Sequence, residues 1–169
     1  MVPHELQDLL ERMKSHREEL LRQVLGLAED EAARRPAEGE WSVKEQLYHL
    51  IEGEESWVRW ALMARELPGS EVGPLPGTGN PPGFPGVERV PLATLVAELR
   101  AARQKTLAAI GSLTEEELGR RGRHRLFGEL TVLQMLRSLY RHDRLHADQI
   151  VGRPSSFVLR DQQGRQVSM

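Results

Sequence analysis

The run HDRLH places two imidazoles, His142 and His146, four residues apart. On a helix this i,i+4 spacing turns both rings to one face, where they can chelate a divalent transition metal. Two neutral imidazoles buried side by side need partners for their ring nitrogens. A shared metal is one such partner, and a backbone carbonyl or carboxylate accepting a hydrogen bond is another. A third nitrogen donor distinguishes the two cases, and His49, in WSVKEQLYHL, is the candidate.

The elements that must position these rings are helices. Met135, Leu139, His142, His146 and Ile150 advance by three or four residues, so both histidines continue an apolar stripe. Thr131 and Gln134 form a capping box that opens this helix, which is predicted to run to about Val151. Ser42 and Glu45 form another, opening a helix predicted over 43–65. His49 lies off that helix's main stripe of Val43, Leu47, Leu50, Ile51, Val58 and Leu62, sharing a side with Gln46, Gly53, Trp57 and Trp60. On local pattern alone His49 reads as an ordinary surface histidine flanked by aromatic packing, and a triad requires this second side to face the terminal helix.

Two more helical periods, over 4–26 and 92–111, complete a set of four long helices. Short helical turns are expected in LAEDEAARR and after the Thr114–Glu117 capping box. Between Leu67 and Pro91 the density of Pro and Gly excludes a helix or a central strand. This stretch reads as a long irregular loop, and its apolar Phe84, Val87 and Val90 suggest a flap that partly packs back. The connector RRGRHRLFGE, with Arg120, Arg121, Arg123 and Arg125, reads as a solvated basic segment, an anion-holding role being the alternative. With no β-rich alternation, the expected fold is all-α, an antiparallel-type four-helix bundle over residues 1–152. Residues 153–169, containing SFVLRD, read as a tail packed on the bundle or at a subunit interface.

Composition narrows the function. At 169 residues the chain can bury a continuous core without metal staples, so a bound metal is functional rather than a folding requirement. Having 0 Cys removes disulfides, thiolate metal sites and cysteine nucleophiles. A net charge of -2 gives no general attraction for nucleic acid or an anionic membrane, which leaves small molecules and proteins as partners. No apolar run approaches membrane-spanning length and the first residues lack an apolar leader core, so a cytoplasmic protein is expected. Basic charge is carried mostly by Arg, which fits a GC-rich bacterial genome.

The segment WSVKEQLYHL, the Trp-containing helix after it, the Pro/Gly-rich loop and the terminal LYRHDRLHADQI together resemble the DinB/YfiT-like superfamily, over about residues 5–152. The resemblance implies a four-helix bundle of up-down-down-up topology, commonly a homodimer, and a divalent metal held by a histidine triad. Carried onto this chain, the ligands are His49, His142 and His146. Three neutral nitrogens leave a coordination position open, the pattern of a catalytic site, and imidazole donors favour zinc or nickel over magnesium or calcium. Such a site lowers the pKa of a bound water or thiol. Two chemistries follow: hydrolysis, or S-transfer and isomerisation with a low-molecular-weight thiol, which the resemblance favours because relatives use mycothiol, bacillithiol or glutathione. A non-catalytic metal-binding or stress-related role is the alternative, and purely structural histidines are a third reading. Glu45, Glu52, Asp143 and Tyr140 do not converge on one point, so no general base is assigned; Glu52 and Asp143 read as surface or ligand-supporting groups. Trp57 and Trp60 read as core packing, or as the mouth of a pocket.

Overall fold

The computed structural model describes residues 1–75, 77–155 and 157–167. Pro76 of the expected flap and Ser156, Ser168 and Met169 of the expected tail lie outside the described residues. Helices form where the apolar period runs longest: α1 His4–Val24, α3 Val43–Glu66, α4 Leu92–Ile110 and α6 Val132–Ile150, with the short α2 Glu29–Ala33 and α5 Glu115–Gly119 between them. Each expected capping box is made. Ser42 Oγ accepts from the Glu45 N–H at 3.2 Å and Thr131 Oγ1 from the Gln134 N–H at 3.0 Å. The returning acceptors, Glu45 Oε1 and Gln134 Oε1, take the cap residues' own N–H groups at 3.1 and 2.8 Å. Orphan donors are thereby satisfied at the start of the two helices that carry the histidines.

Side-chain contacts fix the topology. Arg17 on α1 donates to the Leu99 carbonyl on α4, and Arg103 donates back to the Met13 carbonyl, so α1 and α4 run antiparallel. His16 stacks on Tyr140 and Arg17 pairs with Asp143, so α1 and α6 run parallel. Gln46 and Gly53 on α3 meet His146 and His142 on α6 in reverse order. The long helices are therefore up, down, down and up.

The basic connector is not a plain solvated loop. Arg121–His124 (β2) and Gly128–Thr131 (β3) pair as an antiparallel hairpin, from Arg121 opposite Thr131 to His124 opposite Gly128, and the two-residue β1, Glu71–Val72, adds in parallel to β2. Gly128 takes φ +80°, the left-handed conformation with which a three-residue hairpin loop rejoins its strand. Along β2 the exposed Arg121 and Arg123 alternate with the buried Gly122 and His124. The alternation is real but only four residues long, and its inward positions carry no aliphatic side chain. The bundle thus has a small sheet across one end, and β1 shows that the Pro/Gly-rich stretch includes an edge strand.

The rest of that stretch packs back as expected. Val87 is buried in a short 3₁₀ turn, and Phe84 and Val90 pack against it and the core. In the C-terminal segment, the Gln162 N–H donates to the Leu126 carbonyl of the hairpin loop at 3.1 Å, and Phe157 lies 5.6 Å under the Arg144 guanidinium.

Candidate metal centre

The second side of α3 does face α6. His142 Nε2 lies 3.1 Å from His49 Nε2 and 3.1 Å from His146 Nε2, and the donor atoms of the three rings all fall within 4.8 Å of one another. Tetrahedral coordination with zinc–nitrogen bonds of about 2.0–2.1 Å sets ligand nitrogens ~3.3 Å apart, close to the two contacts made by His142. His142 and His146 are buried, and His49 is half-buried.

Local sequence explains how the rings reach this arrangement. At Gly53 an added Cβ would lie 2.8 Å from His142 Cε1, so the glycine lets that ring lie directly on α3. One turn before His49, Gln46 Oε1 sits 3.0 Å from His146 Nδ1. Its amide nitrogen reaches the Trp41 carbonyl at 3.5 Å, which orients the oxygen toward the ring. An amide oxygen only accepts, so His146 carries its proton on Nδ1 and presents the Nε2 lone pair to the other two histidines. Burial, followed by the neighbouring imidazoles of His142 and His49, holds the His146 pKa well below the ordinary histidine value and keeps the ring neutral.

Aromatic side chains close around the rings. Trp41 is centred 4.8 Å from His49 and stacks at 6.5 Å on His146. Phe84, delivered by the Pro/Gly-rich loop, lies 5.1 Å from Trp41 and 6.3 Å from His49. That loop therefore forms part of the site wall.

The carboxylates considered in the sequence are engaged elsewhere. Glu45 pairs with Arg35 at 2.8 and 2.7 Å and accepts the Phe84 N–H. Glu52 is exposed. Asp143, read from sequence as a surface or supporting group, is 1% exposed and pairs with Arg17 and Arg103 at 3.0 Å each. Tyr140 stacks on His16. Three of the connector arginines are neutralised within the fold: Arg120 by Glu116, Arg121 by Glu129 and Arg125 by Glu71. Trp57 is buried, stacks on His124 at 5.0 Å and also lines a cavity beside His142.

Gln46, Gly53, Trp41 and Phe84 were not singled out as site residues from sequence. The spacing of Gln46 and Gly53 from His49 was visible as a shared helix side, and that was the available signal. Trp41 precedes the helix and Phe84 arrives from a loop, so no periodicity connects them to the histidines.

A family model described as the DinB superfamily matches residues 12–150. The chain belongs to the DinB superfamily. Among solved structures, this DinB-superfamily chain is similar to YfiT from Bacillus subtilis, described as a probable metal-dependent hydrolase with an unusual four-helix bundle topology. The identity is 12%, over 90% of this chain and 87% of that one, with a TM-score of 0.73. It is similar to the four-helix bundle protein TT2238 at 21% identity, covering 87% and 98% of the two chains, TM-score 0.65. The mycothiol-dependent maleylpyruvate isomerase matches at 12% identity and TM-score 0.65, over 86% of this chain and 60% of that chain. No curated protein matches. These likenesses show that the DinB-like bundle fold is shared.

Proposed function

We propose that His49, His142 and His146 hold a divalent transition metal, zinc or nickel, and that the site activates a low-molecular-weight thiol or a water for S-transfer, isomerisation or hydrolysis of a small molecule. The observation that carries this reading is the convergence of three imidazole nitrogens, with Gln46 Oε1 3.0 Å from the far ring nitrogen of His146, Nδ1. Neutral nitrogen donors fit zinc or nickel, and three of them leave a position open. When bound, the metal supplies Lewis acidity that lowers the pKa of a thiol or water. The chain's own residues do the rest. Gln46 fixes one ring tautomer, Gly53 admits the His142 ring, and Trp41 with Phe84 excludes solvent from one side. With Glu45 and Asp143 committed to arginines, deprotonation of the nucleophile rests on the site itself rather than on a carboxylate base. Structural relatives described as a probable metal-dependent hydrolase and as a mycothiol-dependent maleylpyruvate isomerase support both chemistries.

The working form is proposed to be a cytoplasmic homodimer. No helix among the described residues is long and apolar enough to cross a membrane. An open groove of about 920 Å³ runs between α3 and α4, with apolar Ile51, Val58 and Leu62 in its floor. Glu55, Glu98, Arg59 and Lys105 also line it, so a second copy related by a two-fold axis can pair opposite charges across it.

Tag-free protein loaded with zinc or nickel and then desalted is expected to retain about one equivalent of metal by elemental analysis, set by the one-triad geometry. His142→Ala is expected to retain less than about a tenth of an equivalent. Conjugation of thiol to monochlorobimane is expected to depend on the loaded metal. Rates equal to those of His142→Ala, with metal bound, would leave a non-catalytic metal-binding protein.

A further inference from the structure

A second cavity, of about 210 Å³, opens beside the triad on the side of α6 toward the hairpin, and His142 forms part of its wall. Its floor is apolar: Trp57 from α3, Phe127 from the hairpin loop and Leu145 from α6. Phe157 and Leu159 of the C-terminal segment cover it from outside, both of them half-buried. The polar groups, Gln134, Ser138 and Arg141, lie along one stripe of α6 and are spaced by four and three residues. Among the described residues no aspartate or glutamate lines the cavity.

Size and charge define a ligand. A cavity of about 150 Å³ accepts benzene, so this one takes a single ring or a branched chain with a few further atoms. Among the described residues Arg141 has no carboxylate or carbonyl partner, its ring contact being the face of Tyr140 at 6.0 Å. An exposed arginine without an internal counter-charge, lining an apolar cavity whose described walls carry no acid, matches a carboxylate on an apolar body.

Building on the metal-centre reading, we propose that this cavity is the substrate subsite and that it takes a small aromatic or branched-chain carboxylate. The apolar body sits on Trp57 and Leu145, the carboxylate pairs with Arg141, and the C-terminal segment is the outer wall that closes the subsite. Of the three histidines His142 alone lines the cavity, so the ligand's inner end meets the triad through that ring.

The probe is 4-fluorophenylacetate, followed by fluorine NMR on metal-free and zinc-loaded protein, with 4-fluorophenethyl alcohol as the uncharged control. Saturable binding of the acid is expected, about threefold tighter than the alcohol, as an exposed ion pair contributes. Arg141→Gln is expected to remove that advantage and leave the alcohol unchanged. Ser138→Trp, which fills the cavity, is expected to abolish binding of both. Equal binding of acid and alcohol, acid binding unchanged in Arg141→Gln, or no saturable binding to folded wild-type protein overturns the proposal. Because Arg141 is exposed, its variant folds even if Ser138→Trp does not. Zinc content measured on the same samples separates the two readings: zinc retained without acid binding removes the subsite alone, and acid binding without zinc removes the metal centre alone.

Discussion

Gln46 contributes one hydrogen bond to His146, yet that bond decides which ring nitrogen faces the other two histidines. Gln46→Leu keeps the volume and removes the acceptor. Zinc affinity, measured by competition with a chromogenic chelator, is expected to fall about 10- to 100-fold while helical circular dichroism is unchanged. An unchanged affinity would mean that Gln46 is not the acceptor that orients His146, Gln149 being the other side chain bonded to that ring. His124 presents a different case: it is fully buried among Trp57, Trp60 and Phe127, and its Nδ1 accepts the Leu126 N–H at 3.2 Å. Burial first, and the nearby Arg125 charge second, push its pKa down to about 4 from an ordinary 6.5. Between those two values the unfolded chain binds the proton that the folded protein refuses. The stability linked to neutral His124 is therefore complete above about pH 6.5 and is lost as the pH falls toward 4. The melting temperature is expected to drop across that window. His124→Asn, whose side-chain oxygen can still accept the loop N–H, is expected to show a shallower drop, and identical slopes would remove His124 as the cause.

Helix α3 serves two neighbours with two faces. Gln46, His49, Gly53 and Trp57 turn toward α6 and the hairpin, while Ile51, Val58 and Leu62 line the groove against α4. Reading one apolar stripe per helix therefore identifies only one of its two working sides. Leu62→Arg tests the outer side: sedimentation is expected to show a dimer for the wild type and a monomer for the variant, with metal binding retained. A wild-type monomer at all concentrations would exclude the second copy as occupant. The four long helices were legible because each repeats its period over many turns and two open on capping boxes. The hairpin was not legible, because β2 and β3 are four residues each and β2 points glycine and histidine inward and arginine outward.

Across the bundle, one charged residue from each long helix meets at the centre: Arg17, Glu54, Arg103 and Asp143. Arg17 bonds Glu54 at 2.6 Å and Asp143 at 3.0 Å, while Arg103 bonds Glu54 at 2.8 Å and Asp143 at 3.0 Å. On every long helix the charge falls between two apolar groups: Met13 and Leu20, Leu50 and Trp57, Leu99 and Ile110, or Tyr140 and Ala147. The network thus divides the core into two apolar clusters. Burial opposes the Glu54 charge, but Arg17 and then Arg103 outweigh it and keep the carboxyl below its usual value. Removing one member strands the others, so Arg17→Met is expected to destabilise by about 3–5 kcal/mol in urea unfolding. Replacing all four by apolar residues of similar volume is expected to recover most of that loss, because desolvation of the ions disappears with them. Equal losses in the single and quadruple variants would contradict this account.

By itself the sequence determined the long helices, their starts and the shared face of His142 and His146, since periodicity and capping are local properties of the chain; His49 joined them only through the family resemblance. The pairing of Arg17, Glu54, Arg103 and Asp143, the acceptor role of Gln46 and the arrival of Phe84 beside His49 were decided only in the tertiary structure. Each depends on which helix sides pack together. That choice is made by the burial of whole faces across separations of up to 126 residues, and no local spacing encodes it.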